Sequence, residues 1–162
     1  MRIGFGYDIH KFVGSGRKLI LGGVTIPYYK GLTGNSDADV LVHAICDAIL
    51  GAIAARDIGT HFPPDDPTYT DISSLILLEK VLNKLKEMGY SIVNVDSTII
   101  CEKPRLAEFI PQMIENIAKV LNLQNSEVSV KATTGEGLDS IGKGEGVAAH
   151  AVVLVKSEKS SV

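Results

Sequence analysis

Two stretches of the chain, 90–101 and 147–155, are apolar over longer runs than a strand with one face in water requires. A third strand-like segment, 2–10, opens the chain, and apolar residues recur at helical spacing over 73–88. Strands that alternate with helices in this way predict an α+β fold, a mixed β-sheet with helices packed on one face. The opposite face of the sheet is then apolar, and we expect it to be buried between subunits.

Glycines and capping residues define the first elements. The pair Gly22-Gly23 separates two short strand-like segments and favours the positive φ angles of a two-residue turn, which predicts an N-terminal β-hairpin. Ser36, followed three residues later by Asp39, resembles a capping box and predicts a helix over 38–54.

The segment 57–70 contains three prolines and one glycine and is predicted to be an irregular loop or lid. Gly89 is expected to end the helix over 73–88. Pro111 favours the first turn of a later helix that ends near Leu121. The remaining predicted strands are 128–133 and 147–155.

Charge and composition argue against several classes of function. The net charge is −3, and the 16 basic residues are scattered rather than gathered on one stripe, so nucleic acid is an unsuitable partner. No apolar run approaches the roughly 20 residues that cross a bilayer. Cys46 and Cys101 stand alone in apolar surroundings, as reduced buried thiols do.

These features predict a cytoplasmic protein, in a bacterial cytosol, or in a plastid if a transit peptide has been removed. The length of 162 residues fits one domain. We expect a single catalytic domain over 1–156, followed by a polar C-terminal tail over 157–162.

Acidic residues and histidines cluster at spacings that suit a metal ion. Asp8 and His10 lie two apart on a predicted strand and therefore point to the same side. Asp39, His43 and Asp47 recur at every fourth residue of the predicted helix, where they form one polar ridge. With His43 as the third ligand, one tetrahedral position stays open, as in catalytic zinc sites, and Asp39 or Asp47 would orient the second nitrogen of His43. The alternative is that this ridge is only the solvated face of an amphipathic helix.

A second candidate lies at the end of the strand over 128–133. Residues 131–136 bring together two threonines, a glycine and a carboxylate, which suits phosphate oxygens and a hard cation, although turn chemistry alone explains the same pattern. Residues 137–144 nearly spell a P-loop, but Gly144 stands where magnesium binding needs Ser or Thr, and we reject that interpretation. The glycines form either an anion-binding nest or a tight turn.

Several motifs occur in an order that resembles the 2-C-methyl-D-erythritol 2,4-cyclodiphosphate synthase family. Members convert 4-diphosphocytidyl-2-C-methyl-D-erythritol 2-phosphate to 2-C-methyl-D-erythritol 2,4-cyclodiphosphate and CMP in non-mevalonate isoprenoid biosynthesis. The resemblance extends over 1–155. The motifs are Gly6-Tyr7-Asp8-Ile9-His10, Ser36-Asp37-Ala38-Asp39 with His43, Asp57-Ile58-Gly59, Phe62-Pro63, Ile110-Pro111-Gln112-Met113 and Lys131-Ala132-Thr133-Thr134.

The resemblance implies a homotrimer with active sites between neighbouring subunits. It further implies that Asp8, His10 and His43 hold a zinc ion, whose open position takes a phosphate oxygen of the substrate. Glu136 is expected to hold a magnesium or manganese ion together with the substrate diphosphate. The enzyme class implied is a phosphorus–oxygen lyase that releases CMP.

The same resemblance assigns parts of the substrate to segments of the chain. Residues 57–59 would position the methylerythritol part with 62–66 nearby, and 101–107 with Thr133 would hold the cytidine nucleotide. Thr134 and Asn35 are the implied catalytic residues. The full set of implied substrate contacts is Asp8, His10, Asn35, Ser36, Asp57, Ile58, Gly59, Phe62, Pro63, Pro64, Asp65, Asp66, Cys101, Glu102, Lys103, Pro104, Arg105, Leu106, Ala107, Thr133, Thr134, Gly135, Glu136 and Lys143.

Two positions depart from the family pattern. Asn35 stands beside Ser36 where the family ordinarily has a histidine that stabilises charge on the reacting phosphate. Asparagine donates a hydrogen bond but no proton, so we expect a slower reaction if a positive imidazole is needed. Residues 139–141 differ from the Gly-Phe pair that some members carry near the threefold axis, which affects only the central channel.

Two other functions remain open from the residues. A metal-dependent phosphatase or nucleotidase would also use Asp, His and a phosphate-gripping loop, but it would release inorganic phosphate or linear products. A trimeric ligand-binding module that has lost activity would bind cytidine nucleotides without turnover, and Asn35 keeps this alternative open.

Overall fold

The computed structural model describes residues 1–14 and 16–158. The strands are β1 (Arg2–Val13), β2 (Leu19–Leu21), β3 (Val24–Ile26), β4 (Gly31–Leu32), β5 (Tyr90–Ile100), β6 (Val128–Thr133) and β7 (Gly146–Ser157). The α-helices are α1 (Val40–Ala52), α2 (Ile58–His61), α3 (Ser74–Glu87) and α4 (Ile110–Leu121), and short 3₁₀ turns lie at Pro67–Tyr69 and Asn125–Glu127.

Five strands form one sheet in the order β4-β1-β7-β5-β6. The β5–β6 pair is parallel and the other neighbours are antiparallel, which confirms the predicted mixed sheet. Strands β2 and β3 pair separately as a hairpin. Its turn residues Gly22 and Gly23 have φ angles of 57° and 71°, the positive values that a two-residue hairpin turn needs.

Helix α1 lies at the centre of the core, because nearly every position on it is apolar or small. Its closest neighbour is β1, whose inward side at Gly4 carries no side chain. A Cβ atom on Gly4 would lie 1.7 Å from the carbonyl oxygen of Ala48, so the helix backbone rests directly on the strand. This contact sets how close α1 can come to the functional end of β1.

On the other face of the sheet, β1 carries apolar side chains that face water in the single chain, whereas β5 and β6 carry the Asp96–Lys131 ion pair there. Ile3 is 71% exposed and Phe5 61% exposed, and Tyr7, Ile9 and Val152 are also exposed. Alternation along β1 explains the pattern, because residues between these positions face α1. A contiguous apolar surface of this kind is typical of a protein–protein interface.

Several predicted boundaries are wrong in detail. The N-cap of α1 is Asp39 rather than Ser36, and Asp39 accepts a hydrogen bond from the amide of Val42. The segment 57–70 is less irregular than predicted, because it contains α2 and a 3₁₀ turn. In the predicted tail, Ser157 is the last residue of β7.

Residues 159–162 of that predicted tail lie outside the described residues. Over the described ranges, none of the helices combines the length and the apolar character needed to span a membrane.

Candidate metal centre and flanking clefts

Two strand residues and one helix residue meet at the end of β1. Asp8 and His10 lie on the side of β1 that faces the core, and His43 reaches them from the first turns of α1. The Asp8 Oδ2 atom lies 2.9 Å from His10 Nε2 and 2.9 Å from His43 Nδ1, and the two histidine nitrogens are 3.2 Å apart. The structure therefore brings together the three residues that were predicted from the sequence to be metal ligands.

The geometry of this cluster fits a small tetrahedral cation. A tetrahedral zinc ion with bonds of about 2.0 Å places its ligand atoms about 3.3 Å apart, close to the spacing found here. One carboxylate oxygen and two imidazole nitrogens are also a common zinc donor set. Among the described residues, Asp8, His10 and His43 are the one group of three such side chains with ligand atoms this close together.

Electrostatics in the cluster favours a cation. Burial disfavours the charged form of Asp8, but the hydrogen bonds and charges of His10 and His43 outweigh it and hold the pKa of Asp8 well below its usual value. Burial likewise lowers the pKa of His43, yet the hydrogen bond and charge of Asp8 raise it overall. Asp8 is therefore ionised at neutral pH and provides a fixed negative charge beside the two imidazoles.

The second ring nitrogen of His43 does not contact either predicted partner. His43 Nε2 lies 2.9 Å from the hydroxyl of Ser74 and 3.0 Å from that of Ser36. The Asp39 carboxylate instead accepts hydrogen bonds from the Gly22, Gly23 and Val42 amides, and Asp47 accepts one from the Ile58 amide. The prediction that Asp39 or Asp47 orients His43 is therefore wrong.

The polar ridge of α1 is also not a solvated face. Asp39 is fully buried and His43 is 9% exposed, so neither simply faces water. Burial and the neighbouring Asp37 carboxylate raise the pKa of Asp39 to about 6, against the opposing effect of its backbone hydrogen bonds. A helix face that buries a carboxylate and an imidazole is organised for a purpose other than solubility.

The candidate metal centre formed by Asp8, His10 and His43 opens onto a cleft of about 210 Å³. Tyr69 and Leu77 line it, although the sequence did not indicate them, because their place at the cleft depends on tertiary packing, including that of α3 on α1. The predicted contacts Asp57 and Asp66 cap α2 and the 3₁₀ turn by accepting hydrogen bonds from the Thr60 and Thr68 amides. The other residues that line the cleft are Asp8, His10, Asn35, Ser36, His43, Ile58, Gly59, Phe62 and Pro64.

The loop that carries Asn35 is held from behind by an arginine that the sequence did not indicate. The Arg17 guanidinium donates hydrogen bonds to the carbonyl oxygens of Gly34 and Ser36, on both sides of Asn35. The amide oxygen of Asn35 accepts a hydrogen bond of 3.3 Å from the Thr70 hydroxyl. This contact leaves the amide NH₂ group as the donor that Asn35 can offer to the cleft.

A second cleft of about 220 Å³ lies at the ends of β5 and β6. Two hydrogen bonds hold residues beside this cleft in place. The Glu102 carboxylate accepts one of 3.1 Å from the Gly135 amide, and the Thr134 hydroxyl donates one of 2.8 Å to the Glu136 carboxylate. Lys103, Gly135 and Glu136 do not line this cleft. The residues that do are Cys101, Glu102, Pro104, Arg105, Leu106, Ala107, Ile110, Ala132, Thr133 and Thr134.

The two clefts are separate within one chain. Asp8 is in register with Ala149, Ala149 with Ile99, and Ile99 with Ala132. The candidate metal centre and the end of β6 therefore lie at the same end of the strands but three strand spacings apart, about 14 Å. One chain does not bring the predicted metal ligands and the predicted nucleotide contacts into a single cavity.

Lys143 lies on the turn between β6 and β7, is exposed, and lines neither cleft. In the same turn, Gly137 and Gly144 have φ angles of 70° and 72°. No helix follows this turn, because β7 begins at Gly146, which is consistent with rejecting a P-loop.

Both predicted thiols are buried; burial raises the pKa of Cys101 to about 11 and that of Cys46 well above its ordinary value.

Comparison with known proteins places these features in context. The model of the YgbB family matches residues 1–156. The 2-C-methyl-D-erythritol 2,4-cyclodiphosphate synthase of Syntrophomonas wolfei is 56% identical over 156 residues, which cover 96% of this chain and 99% of that protein. The synthase of the same name from Geotalea daltonii is 59% identical over 156 residues, covering 96% of this chain and 91% of that protein.

Solved structures share the fold. The bifunctional IspDF of Campylobacter jejuni has a TM-score of 0.92 at 40% identity; the match covers 96% of this chain and 42% of that longer chain. The IspF of Plasmodium falciparum in complex with CDP has a TM-score of 0.84 at 36% identity, with 98% of this chain and 97% of that chain covered.

Proposed function

Because this chain belongs to the YgbB family, we propose that it converts 4-diphosphocytidyl-2-C-methyl-D-erythritol 2-phosphate to 2-C-methyl-D-erythritol 2,4-cyclodiphosphate and CMP. The observation that carries the proposal is the cluster of Asp8, His10 and His43, which opens onto a cleft and fits a metal ion. Such an enzyme is a phosphorus–oxygen lyase acting in non-mevalonate isoprenoid biosynthesis. Residues 1–156 would be its single catalytic domain, working in the cytoplasm.

The proposed reaction is intramolecular. An oxygen of the 2-phosphate attacks the β-phosphorus of the same molecule, the new P–O bond closes the ring, and the bond from the β-phosphorus to the bridging oxygen breaks, so that CMP leaves with that oxygen and its electron pair. No external nucleophile takes part. The difficulty is electrostatic, because an anionic oxygen approaches an anionic phosphorus centre while negative charge accumulates on the leaving group.

Asp8, His10 and His43 would hold zinc, with one position left for a substrate phosphate oxygen. A bound zinc ion supplies Lewis-acid polarisation of that phosphate. The chain's own contribution is to hold the phosphate in line: the Asn35 amide and the Ser36 hydroxyl line the same cleft and would donate hydrogen bonds to its oxygens. Orienting the two ends of one molecule in this way recovers on the order of 7 kcal/mol or more of the barrier.

The second cleft would hold the nucleotide. Apolar side chains such as Leu106 and Ile110 and the hydroxyl of Thr133 line it, which suits a base and a sugar. Glu136 would hold magnesium or manganese through one carboxylate together with the diphosphate, the manner in which magnesium commonly binds phosphates. The Thr134 hydroxyl, which donates a hydrogen bond to Glu136 in this structure, would instead donate one to the reacting phosphates. The Plasmodium falciparum relative that shares this fold was solved in complex with CDP, which supports a cytidine ligand for this chain.

We further propose that the active site forms between subunits of a homotrimer. Within one chain the two clefts are separate cavities, about 14 Å apart across the strands, so the proposed metal ligands and nucleotide contacts do not share one cavity. Packing the exposed apolar face of the sheet, around Phe5 and Tyr7, against two further copies would bury that face. It would also place the metal cluster of one subunit beside the nucleotide cleft of another.

The test is CMP release from the diphosphocytidyl substrate with zinc and magnesium present. The wild type is expected to form CMP and the cyclic diphosphate, and His43→Ala to lose turnover by roughly 10³-fold or more, because a ligand at an open zinc site serves chemistry more than folding. His61→Gln is the matched control, since the His61 side chain lines no part of the metal-site cleft and its hydrogen bond to the Ala55 carbonyl is one that glutamine can also donate.

The products decide between the candidate functions. Release of inorganic phosphate or linear products by the wild type would indicate a phosphatase. Tight binding of cytidine nucleotides without any turnover would indicate a binding module, and CMP release by His43→Ala at the wild-type rate would refute the proposed metal site.

A further inference from the structure

We propose that Ser74, held in place by Asp37, is a positioning residue that makes His43 present its Nδ1 atom to the metal ion. The inference rests on the proposed metal site and concerns the opposite side of the His43 ring. Neither Ser74 nor Asp37 contributes a ligand atom to the candidate metal centre.

The two nitrogens of His43 have distinct surroundings. Nδ1 faces Asp8 Oδ2 and His10 Nε2, at 2.9 and 3.2 Å. Nε2 faces the Ser74 hydroxyl at 2.9 Å. An imidazole that binds a metal through Nδ1 carries its proton on Nε2, so Nε2 must donate a hydrogen bond. Nε2 therefore needs an acceptor, and the Ser74 hydroxyl is placed to provide it.

Asp37 fixes the direction in which the Ser74 hydroxyl points. The hydroxyl donates a short hydrogen bond to Asp37 Oδ1, and the backbone amide of Ser74 donates one of 3.0 Å to Asp37 Oδ2. Because the only proton of the hydroxyl goes to the carboxylate, its lone pairs are directed toward His43. Ser74 is fully buried at the first turn of α3, where water cannot substitute for it.

The neighbouring hydroxyl of Ser36 is suited to a different role. It lies 3.0 Å from His43 Nε2 and accepts a hydrogen bond from the Ala38 amide, but its own proton is not bound to a carboxylate. When His43 Nε2 carries a proton, the acceptor that the described residues offer to the Ser36 hydroxyl is the Ser74 oxygen at 3.5 Å, the outer limit of a hydrogen bond. Ser36 lines the cleft, so its proton is available to a substrate phosphate, whereas Ser74 does not line the cleft and its hydroxyl faces His43 and Asp37.

A hydrogen-bond acceptor such as Ser74, on the far side of a metal-binding histidine, strengthens metal binding because it fixes the orientation and the tautomer of the imidazole ring. Removing one typically weakens metal affinity by 10- to 100-fold. Here the effect would pass from the start of α3 through Ser74 to the His43 ring on α1. The result would be a metal site coupled to the packing of two helices.

The test measures zinc affinity by competition with a chromophoric chelator, using metal-free full-length protein refilled with zinc alone. Ser74→Ala is expected to bind zinc roughly 10- to 100-fold more weakly than the wild type. Asp37→Asn keeps an acceptor oxygen but loses the full charge, so it should show a smaller loss of roughly threefold or more. Ser73→Ala is the matched control at the neighbouring position, because the Ser73 side chain makes no capping hydrogen bond, and it should bind zinc like the wild type.

A spectroscopic measurement separates positioning from a general loss of stability. In the zinc-loaded wild type, the His43 Nε2 proton should give a slowly exchanging, ¹⁵N-coupled NMR signal, and Ser74→Ala should lose or shift it. Wild-type zinc affinity in both Ser74→Ala and Asp37→Asn, with this signal unchanged, would overturn the inference. Failure of the wild type itself to bind zinc would instead refute the proposed metal site.

Discussion

Gly6 of β1 lies directly under the carbonyl oxygen of Ala44 in α1. A Cβ atom placed on Gly6 would be 1.9 Å from that oxygen, far closer than any real contact. Because His43 precedes Ala44, the same close approach lets the His43 ring reach the Asp8 carboxylate two residues beyond Gly6. The absence of a side chain at Gly6 thus lets His43 on α1 come within hydrogen-bond distance of Asp8 on β1 in the candidate metal centre.

The first prediction is that Gly6→Ala displaces α1 and impairs the metal site. The obstacle is helix backbone rather than a flexible side chain, so relief requires a shift of the helix or the strand. Overpacking of this kind costs typically 1–3 kcal/mol of stability. Urea unfolding of the metal-free protein should show that loss, and the chelator competition should show zinc binding weakened by at least tenfold.

Gly14→Ala is the matched control for this substitution. Among the described residues outside its chain neighbours, a Cβ atom at Gly14 would meet no heavy atom within 4 Å. This variant should keep both the unfolding free energy and the zinc affinity of the wild type. Equal zinc affinity in Gly6→Ala and Gly14→Ala would show that α1 does not have to rest on β1 for the site to form.

The sequence predicted those features that depend on local periodicity. Asp8 and His10 alternate with exposed apolar residues along β1, so their shared side follows from strand geometry alone. The two-residue hairpin at Gly22-Gly23 is equally local, because the turn needs positive φ at both positions. Such features are visible in a few neighbouring residues and need no knowledge of the tertiary fold.

The contacts behind the site were not predictable in this way. Helical spacing made Asp39 and Asp47 the nearest polar neighbours of His43, but in the fold each carboxylate binds backbone amides of another segment. The actual partner of His43 Nε2, Ser74, lies 31 positions away along the chain and arrives through the packing of α3. Arg17 likewise holds the Asn35 loop from a different part of the chain.

The second prediction concerns Arg17, whose guanidinium bridges two carbonyl oxygens of the loop around Asn35. Arg17→Lys keeps the charge but replaces a planar fork with a single ammonium group, which cannot hold both carbonyls in the same geometry. With the loop less well positioned, we expect kcat/KM for CMP formation to fall roughly tenfold or more. Steady-state kinetics with the diphosphocytidyl substrate measures the effect.

Lys80→Met is a control for surface changes, because Lys80 is exposed on α3. It should leave kcat/KM unchanged. If Arg17→Lys also retains wild-type kinetics, the two hydrogen bonds to the loop do not contribute to catalysis.

The third prediction concerns the pH dependence of stability. Burial raises the pKa of Asp39 to about 6 in the folded protein, whereas an exposed aspartate titrates near 3.8. Between these values the folded state holds a proton that the unfolded state releases, so this group makes stability fall as pH rises from about 4 to about 6. A shift of this size corresponds to roughly 3 kcal/mol.

Asp39→Asn should remove this contribution, because an amide does not titrate. Other carboxylates titrate over the same range, so the informative quantity is the difference between wild type and variant. Urea unfolding of the metal-free proteins at pH 4, 5 and 6 should show the two converging or crossing as pH rises. A constant difference across these three pH values would contradict the assigned ionisation of Asp39.

The last prediction concerns Asn35, which lines the cleft beside the candidate metal centre at a position where the resemblance to the synthase family implies a histidine. Asn35→His would restore a group that can be positively charged beside the reacting phosphate. One such contact with developing charge is worth roughly 3 kcal/mol, so the rate of CMP formation should rise by tenfold or more. The gain should fade as pH increases above about 6.5, where an ordinary imidazole loses its proton. Asn35→Ala, which removes the donor altogether, should be slower than the wild type at every pH. An equal rate in wild type and Asn35→His at pH 6 would show that this protein stabilises the phosphate charge by other groups.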